Sequence, residues 1–114
     1  MRVWMLAIAG IAAVGLVGGT GSATAYTVYI SNEKGNSITV LDSVTLEVKE
    51  TIPVGQRPRG IILTNDDKYL LICASDEDAV QMLDVTSREL VGDLPSGPDP
   101  ELLDLHPSGS PVYI

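Results

Sequence analysis

Residues 38–63, ITVLDSVTLEVKETIPVGQRPRGIIL, return 42 positions later as residues 80–105, VQMLDVTSRELVGDLPSGPDPELLDL. The match needs no gap. Leu41-Asp42 falls on Leu83-Asp84, Glu47 on Glu89, Pro53 on Pro95, Gly55 on Gly97, Pro58 on Pro100 and Leu63 on Leu105. Apolar residues exchange for apolar ones between them: Ile38 with Val80, Val40 with Met82, Val48 with Leu90 and Ile52 with Leu94. The chain is therefore built on an internal repeat, and the repeat comes before any other reading.

Working outward, each period divides into short strands. Val28–Asn32 and Leu70–Ala74 are β-rich runs, each followed by a polar turn, Glu33-Lys34-Gly35-Asn36 or Ser75-Asp76-Glu77-Asp78. Ile38–Asp42 and Val80–Asp84 follow, alternating in the manner of strands whose successive side chains point to opposite faces. Glu47–Ile52 and Glu89–Leu94 come next, each closed by a proline and a glycine, and then Gly60–Leu63 and Leu102–Leu105. Four short antiparallel strands in a period of about 40–45 residues describe one blade of a β-propeller. Helical repeats of that length need apolar spacing of three and four, which this chain lacks.

The chain has 114 residues, 45% hydrophobic, with 15 acidic against 7 basic side chains and a formal net charge of −8. That balance excludes a nucleic-acid-binding protein, which needs a basic footprint. One cysteine, Cys73, excludes an intramolecular disulfide and a cysteine-based zinc site, and is expected to lie buried in a strand. Met1–Ala25 combines an early cation (Arg2), an apolar run and the exit Ala23-Thr24-Ala25. Those features describe a secretory signal peptide cleaved after Ala25, and hence a periplasmic or secreted protein with no membrane association after cleavage. An uncleaved anchor is the alternative, although the apolar run is short against the ~20 residues a spanning helix needs.

Several strings carry a family resemblance. Tyr29-Ile30-Ser31-Asn32 resembles the signature of the YVTN β-propeller repeats, and Thr51–Ile61, TIPVGQRPRGI, is similar to that family's connector. His106-Pro107-Ser108-Gly109 stands where the family has a Pro-Asp-Gly turn. More narrowly, SNEKGNSITVLD, VGQRPRGI, CASDEDAVQMLD and LPSGPDPE resemble the secreted YVTN propellers associated with PQQ-dependent alcohol catabolism. The sequence departs from the pattern at Leu71-Ile72-Cys73-Ala74 and at Asn65-Asp66-Asp67-Lys68. In the family's blade order the strand after the proline connector is innermost. Residues 26–53 then supply a partial blade, 59–95 a full blade and 101–114 the start of a further one. The expected fold is all-β: a partial propeller of about two four-stranded antiparallel blades, the N-terminal piece of a larger ring, with open blade edges that invite self-association.

The resemblance implies a non-catalytic scaffold or binding protein, accessory to a periplasmic PQQ-dependent alcohol-oxidising system, with a quinoprotein dehydrogenase or a cytochrome c as partner. No enzyme activity is expected of this stretch; for the full ring that question stays open. The alternatives are a fragment of a propeller enzyme, lactonase-like or haem-d1-type, and a cell-surface or envelope-layer repeat protein. No haem-attachment, zinc-protease or nucleophile-elbow motif occurs, and no cofactor or metal is expected. The only tryptophan, Trp4, lies in the leader, so the repeated Trp motifs of quinoprotein propellers are missing.

Candidate ligand or partner contacts lie on the connector loops. Gln56-Arg57-Pro58-Arg59 and Pro98-Asp99-Pro100-Glu101 are equivalent in the repeat, with reversed charge: Arg57 falls on Asp99 and Arg59 on Glu101. In adjacent blades these loops sit side by side, so arginine–carboxylate pairing is expected, with an anion-binding rim as the competing reading. The acidic turn with Asp76 and Asp78 should share that face with Asp99 and Glu101; a calcium site is a minor reading of it. His106 reads as a turn residue. Asp42 and Asp84 read as acceptors that cap the turns after their strands.

Overall fold

The computed structural model describes residues 23–114, which form nine strands and a single 3-10 turn, Ser75–Glu77. The proposed leader falls almost wholly outside the described residues. Strands β1 (Thr27–Asn32), β2 (Ser37–Asp42) and β3 (Val48–Pro53) form a three-stranded antiparallel sheet. Strands β4 (Pro58–Leu63), β5 (Tyr69–Ala74), β6 (Ala79–Asp84) and β7 (Leu90–Pro95) form a complete four-stranded meander in sequence order. Strands β8 (Asp104–Leu105) and β9 (Val112–Tyr113) make a third, two-stranded sheet. These are three successive blades.

Strand alternation explains how they stack. In the second blade Leu70, Ile72 and Leu83, with Ile61 and Leu63, face back and pack against Tyr29, Ile38, Val40 and Ile52 of the first. The intervening residues Ile62, Leu71, Cys73, Val80, Met82 and Leu94 face forward, against Leu103, Leu105 and Val112 of the third. The two cores are copies. Tyr29, Ile38, Val40 and Ile52 are the 42-residue equivalents of Leu71, Val80, Met82 and Leu94, while Ile61, Leu63 and Leu70 are those of Leu103, Leu105 and Val112. The period-2 pattern thus serves two interfaces at once, and the central strand β5 is buried from Leu70 to Ala74. Cys73 is buried there as expected, and desolvation pushes its thiol pKa up.

Backbone detail also repeats. Equivalent bulges fall between Val40 and Leu41 and between Met82 and Leu83. The left-handed positions pair off as Asn36 with Asp78, Leu46 with Arg88 and Arg57 with Asp99. At the opposite end of the blades from the connectors, Asp42 Oδ1 accepts the N–H groups of Val44 and Thr45 at 2.8 and 2.9 Å. Asp84 Oδ1 does the same for Thr86 and Ser87, both at 2.8 Å. These bonds, led by those from Thr45 and Ser87, hold both carboxyls below the usual carboxylate range. A depressed folded-state pKa gives stability that is present above the unfolded-state value, about pH 4, and is lost as pH falls through the folded value. The double variant Asp42→Asn/Asp84→Asn keeps both Oδ1 acceptors and removes their titration. Its melting temperature is expected to fall less steeply than wild type on acidification below about pH 4, read by thermal melts across pH.

One strand is shorter than its sequence suggests. The reading predicts a strand over Leu102–Leu105, but only Asp104–Leu105 pair. The register accounts for the difference: with Asp104 opposite Tyr113, Leu103 falls opposite Ile114, the last residue of the sequence. The Glu101 carbonyl accepts the N–H of Gly60 at 2.9 Å, tying that stretch sideways to the second blade.

Candidate functional site

The loops at the start of the inner strands gather on one face: the β1–β2 turn, the connector 54–57, the β5–β6 turn and the connector 96–101. The left-handed backbone at Arg57 and Asp99 is held by the preceding turn in the same way each time. Arg57 N–H donates to Asn36 Oδ1 at 3.0 Å, and Asp99 N–H donates to Asp78 Oδ1 at 2.9 Å. Gln81 adds a buried anchor: its Oε1 accepts the N–H of Gly55 at 2.7 Å, so the second blade grips the connector that leads into it. Gly55 is needed there, because a Cβ would lie 2.9 Å from Ala74 Cβ and from both polar atoms of the Gln81 amide.

On this frame the charges meet. Arg57 Nη1 is 3.0 Å from Asp76 Oδ1, and its Nη2 is 2.6 Å from Asp99 Oδ1. Arg59 Nη1 pairs with Glu101 Oε1. The Nε atoms of both arginines lie 3.8 Å from one oxygen of Glu33. Arg57 Nε is buried and makes no hydrogen bond. The arginine–carboxylate pairing expected from the reversed charges is present, and both pairs join residues 42 apart. The arrangement brings together Arg57, Arg59, Asp76, Asp99 and Glu101, with Asp78 one step behind as the anchor of Asp99. These side chains are about one-third to one-half exposed, so each pair is worth only ~0–1 kcal/mol. Their effect is to hold two guanidinium forks still at the mouth of the face.

Sequence reading missed Glu33, which bridges the two arginines, and Gln81, which holds the loop. Glu33 is equivalent to Ser75 in the repeat, and the two do related work, since Ser75 Oγ donates to the Pro100 carbonyl at 2.5 Å. Comparing the two turns could have flagged the position. The repeat equivalent of Gln81 in the first blade is Thr39, and that exchange carries no signal. His106 lies elsewhere, in the β8–β9 turn, where its Nδ1 is 2.8 Å from Ser108 Oγ. Among the described residues no group of three or more His, Cys, Asp or Glu side chains is placed to hold a metal ion, and no helix is long and apolar enough to cross a membrane.

Fold and face together define an arc of a β-propeller. The family model "Lactonase, 7-bladed beta-propeller" matches residues 21–94, and the chain belongs to that family. Among solved structures, it is similar to hydrazine synthase of Kuenenia stuttgartiensis, with 28% identity and a TM-score of 0.69, over 73% of this chain and 24% of that one. It also resembles a functionally unknown protein of Desulfotomaculum acetoxidans, over 76% of this chain and 30% of that one, with a TM-score of 0.64. At 17% identity that second likeness shows the fold alone. The chain thus spans less than a third of either structure's length. No curated protein matches it. Family membership corrects one expectation: the resemblance implies a non-catalytic scaffold, whereas the family is one of enzymes, which partly fits the lactonase-like alternative. The repeat signature that identified the fold is shared by propellers with and without activity, because function sits on residues grafted onto the fold.

Proposed function

We propose that this chain carries, on its connector face, the hydrolytic site of a propeller enzyme acting on lactones or related esters. The observation that carries the reading is the family match over residues 21–94, together with the paired guanidinium groups of Arg57 and Arg59 on the connector face. Opening a lactone builds negative charge on the carbonyl oxygen and leaves a carboxylate. Guanidinium forks suit both, provided that they are held before the charge develops. Asp76, Asp99 and Glu101 hold them. Glu33, 3.8 Å from each Nε, is the most loosely engaged carboxylate of the group: as general base it takes the proton from the attacking water, and it returns that proton to the ring oxygen as the acyl–oxygen bond breaks.

The test is hydrolysis of small lactones by the purified chain, followed by proton release at constant pH. Turnover above the buffer rate is expected, with kcat/KM falling at least about tenfold in Arg59→Ala and in Glu33→Gln. A folded chain without turnover, or variants that match wild type, would overturn the reading.

The setting belongs to the same proposal. Met1–Ala25 supports export, checked by N-terminal sequencing of protein recovered from the periplasm. SNEKGNSITVLD and VGQRPRGI support the PQQ-associated branch of the YVTN propellers. Copurification of a quinoprotein dehydrogenase or a cytochrome c checks that assignment.

A further inference from the structure

We infer that the connector face takes lactones without a charged substituent and turns away those that carry an anionic group. The inference rests on the hydrolytic reading above and assigns the selection to the carboxylates that hold the two arginines. Two guanidinium groups at the mouth of a face ordinarily point the other way, because arginine grips carboxylate and phosphate through two parallel N–H groups.

Here those donors are taken. Both outer nitrogens of Arg57 are engaged, Nη1 by Asp76 at 3.0 Å and Nη2 by Asp99 at 2.6 Å. Its Nε is buried and lies 3.8 Å from Glu33. Arg57 therefore has no N–H pair to offer an incoming anion. Arg59 gives Nη1 to Glu101. The other edge of that guanidinium, Nε with Nη2, has Glu33 3.8 Å from Nε, so an anion gripping it would lie against a carboxylate. A single N–H from that edge suffices for the carbonyl oxygen of a lactone, where charge develops during attack. The carboxylate formed on ring opening includes that same oxygen. A second anionic group on the substrate finds no free fork.

Charge completes the selection. Six carboxylates stand on the loops of this face: Glu33, Asp76, Glu77, Asp78, Asp99 and Glu101. Among the described residues of the face, the cations are Lys34, Arg57 and Arg59, so it is negative despite its arginines. Glu77 and Asp78 belong to the frame. Glu77 Oε1 accepts the N–H of Gln56 at 3.0 Å, and Asp78 Oδ1 accepts that of Asp99 at 2.9 Å. Those bonds pin the connectors and leave both charges in place. Carboxylates in contact with the arginines outweigh charges farther off, because salt screens interactions beyond about 8–10 Å. The sign of the field at the arginines is therefore set by these loops.

The experiment compares kcat/KM of the full chain for γ-butyrolactone and for γ-butyrolactone bearing a ring carboxylate, at low and at physiological salt. The uncharged ring should be preferred at least about tenfold at low salt, and the preference should shrink as salt rises. Asp99→Asn keeps the side-chain shape, removes one charge and loosens its hold on Arg57 Nη2. It should cut the preference about threefold or more. The ratio is read on one preparation, so a partly unfolded variant does not distort it. Equal use of the two rings, or preference for the charged one, overturns the inference and leaves the hydrolytic reading standing. A preference that responds neither to salt nor to Asp99→Asn also overturns it, because selection is then steric. Turnover of neither ring removes the hydrolytic reading and this inference with it.

Discussion

Ile72→Ala is expected to lower the unfolding free energy by about 2–5 kcal/mol. Ile72 is fully buried at the centre of β5, facing back into the core that joins the first two blades. It touches residues drawn from both, so the cavity left behind cannot be closed by movement of one strand. The control is built into the repeat. Ile114 is the equivalent residue in the third blade and is 51% exposed. Ile114→Ala should change stability by no more than about 0.5 kcal/mol. Urea unfolding of both variants, compared at a common slope, checks the pair. Equal losses would mean that the first two blades are not joined through this core.

Gly60→Ala is expected to detach the third blade. An added Cβ would lie 2.7 Å from the Glu101 carbonyl oxygen and 3.0 Å from Leu102 Cα. Both are backbone atoms that cannot rotate away, and displacing them breaks the hydrogen bond from Gly60 N–H to Glu101. Overpacking of this kind costs about 1–3 kcal/mol. Here the cost is local, because residues 100–114 meet the second blade along the seam that this bond belongs to. It lies beside the Ser75–Pro100 bond, the Arg59–Glu101 pair, the Asn65–Pro107 bond and the apolar contacts of Leu103, Leu105 and Val112. Hydrogen exchange over residues 103–113 should quicken while β5 keeps its protection. Unchanged exchange there would show that the two inner strands are not in the close contact described.

A good part of this was legible before any coordinates. The repeat could be read because each blade solves the same packing problem with the same alternation, so apolar positions return after 42 residues on matching strands. Asp42 and Asp84 could be read because an acid at a strand end followed by a Ser/Thr turn satisfies nearby N–H groups within the same few residues. The charge reversal between the connectors could be read for the same reason: equivalent positions in neighbouring blades lie side by side. Kinship with a lactonase-like enzyme could be named from the repeat as an alternative, but it could not be chosen over a non-catalytic scaffold, because function sits on residues grafted onto the fold.

Periodicity and local turn chemistry thus settled the blade, its strands and the placing of opposite charges on one face. Tertiary structure decided the rest. It chose which carboxylate each guanidinium atom meets, drew Glu33 between the two arginines and set Gln81 on Gly55. All three depend on how closely one blade approaches the next. That distance is fixed by backbone contacts such as Gly60 against Glu101, between residues far apart in the chain, and no pattern within a single repeat reports it.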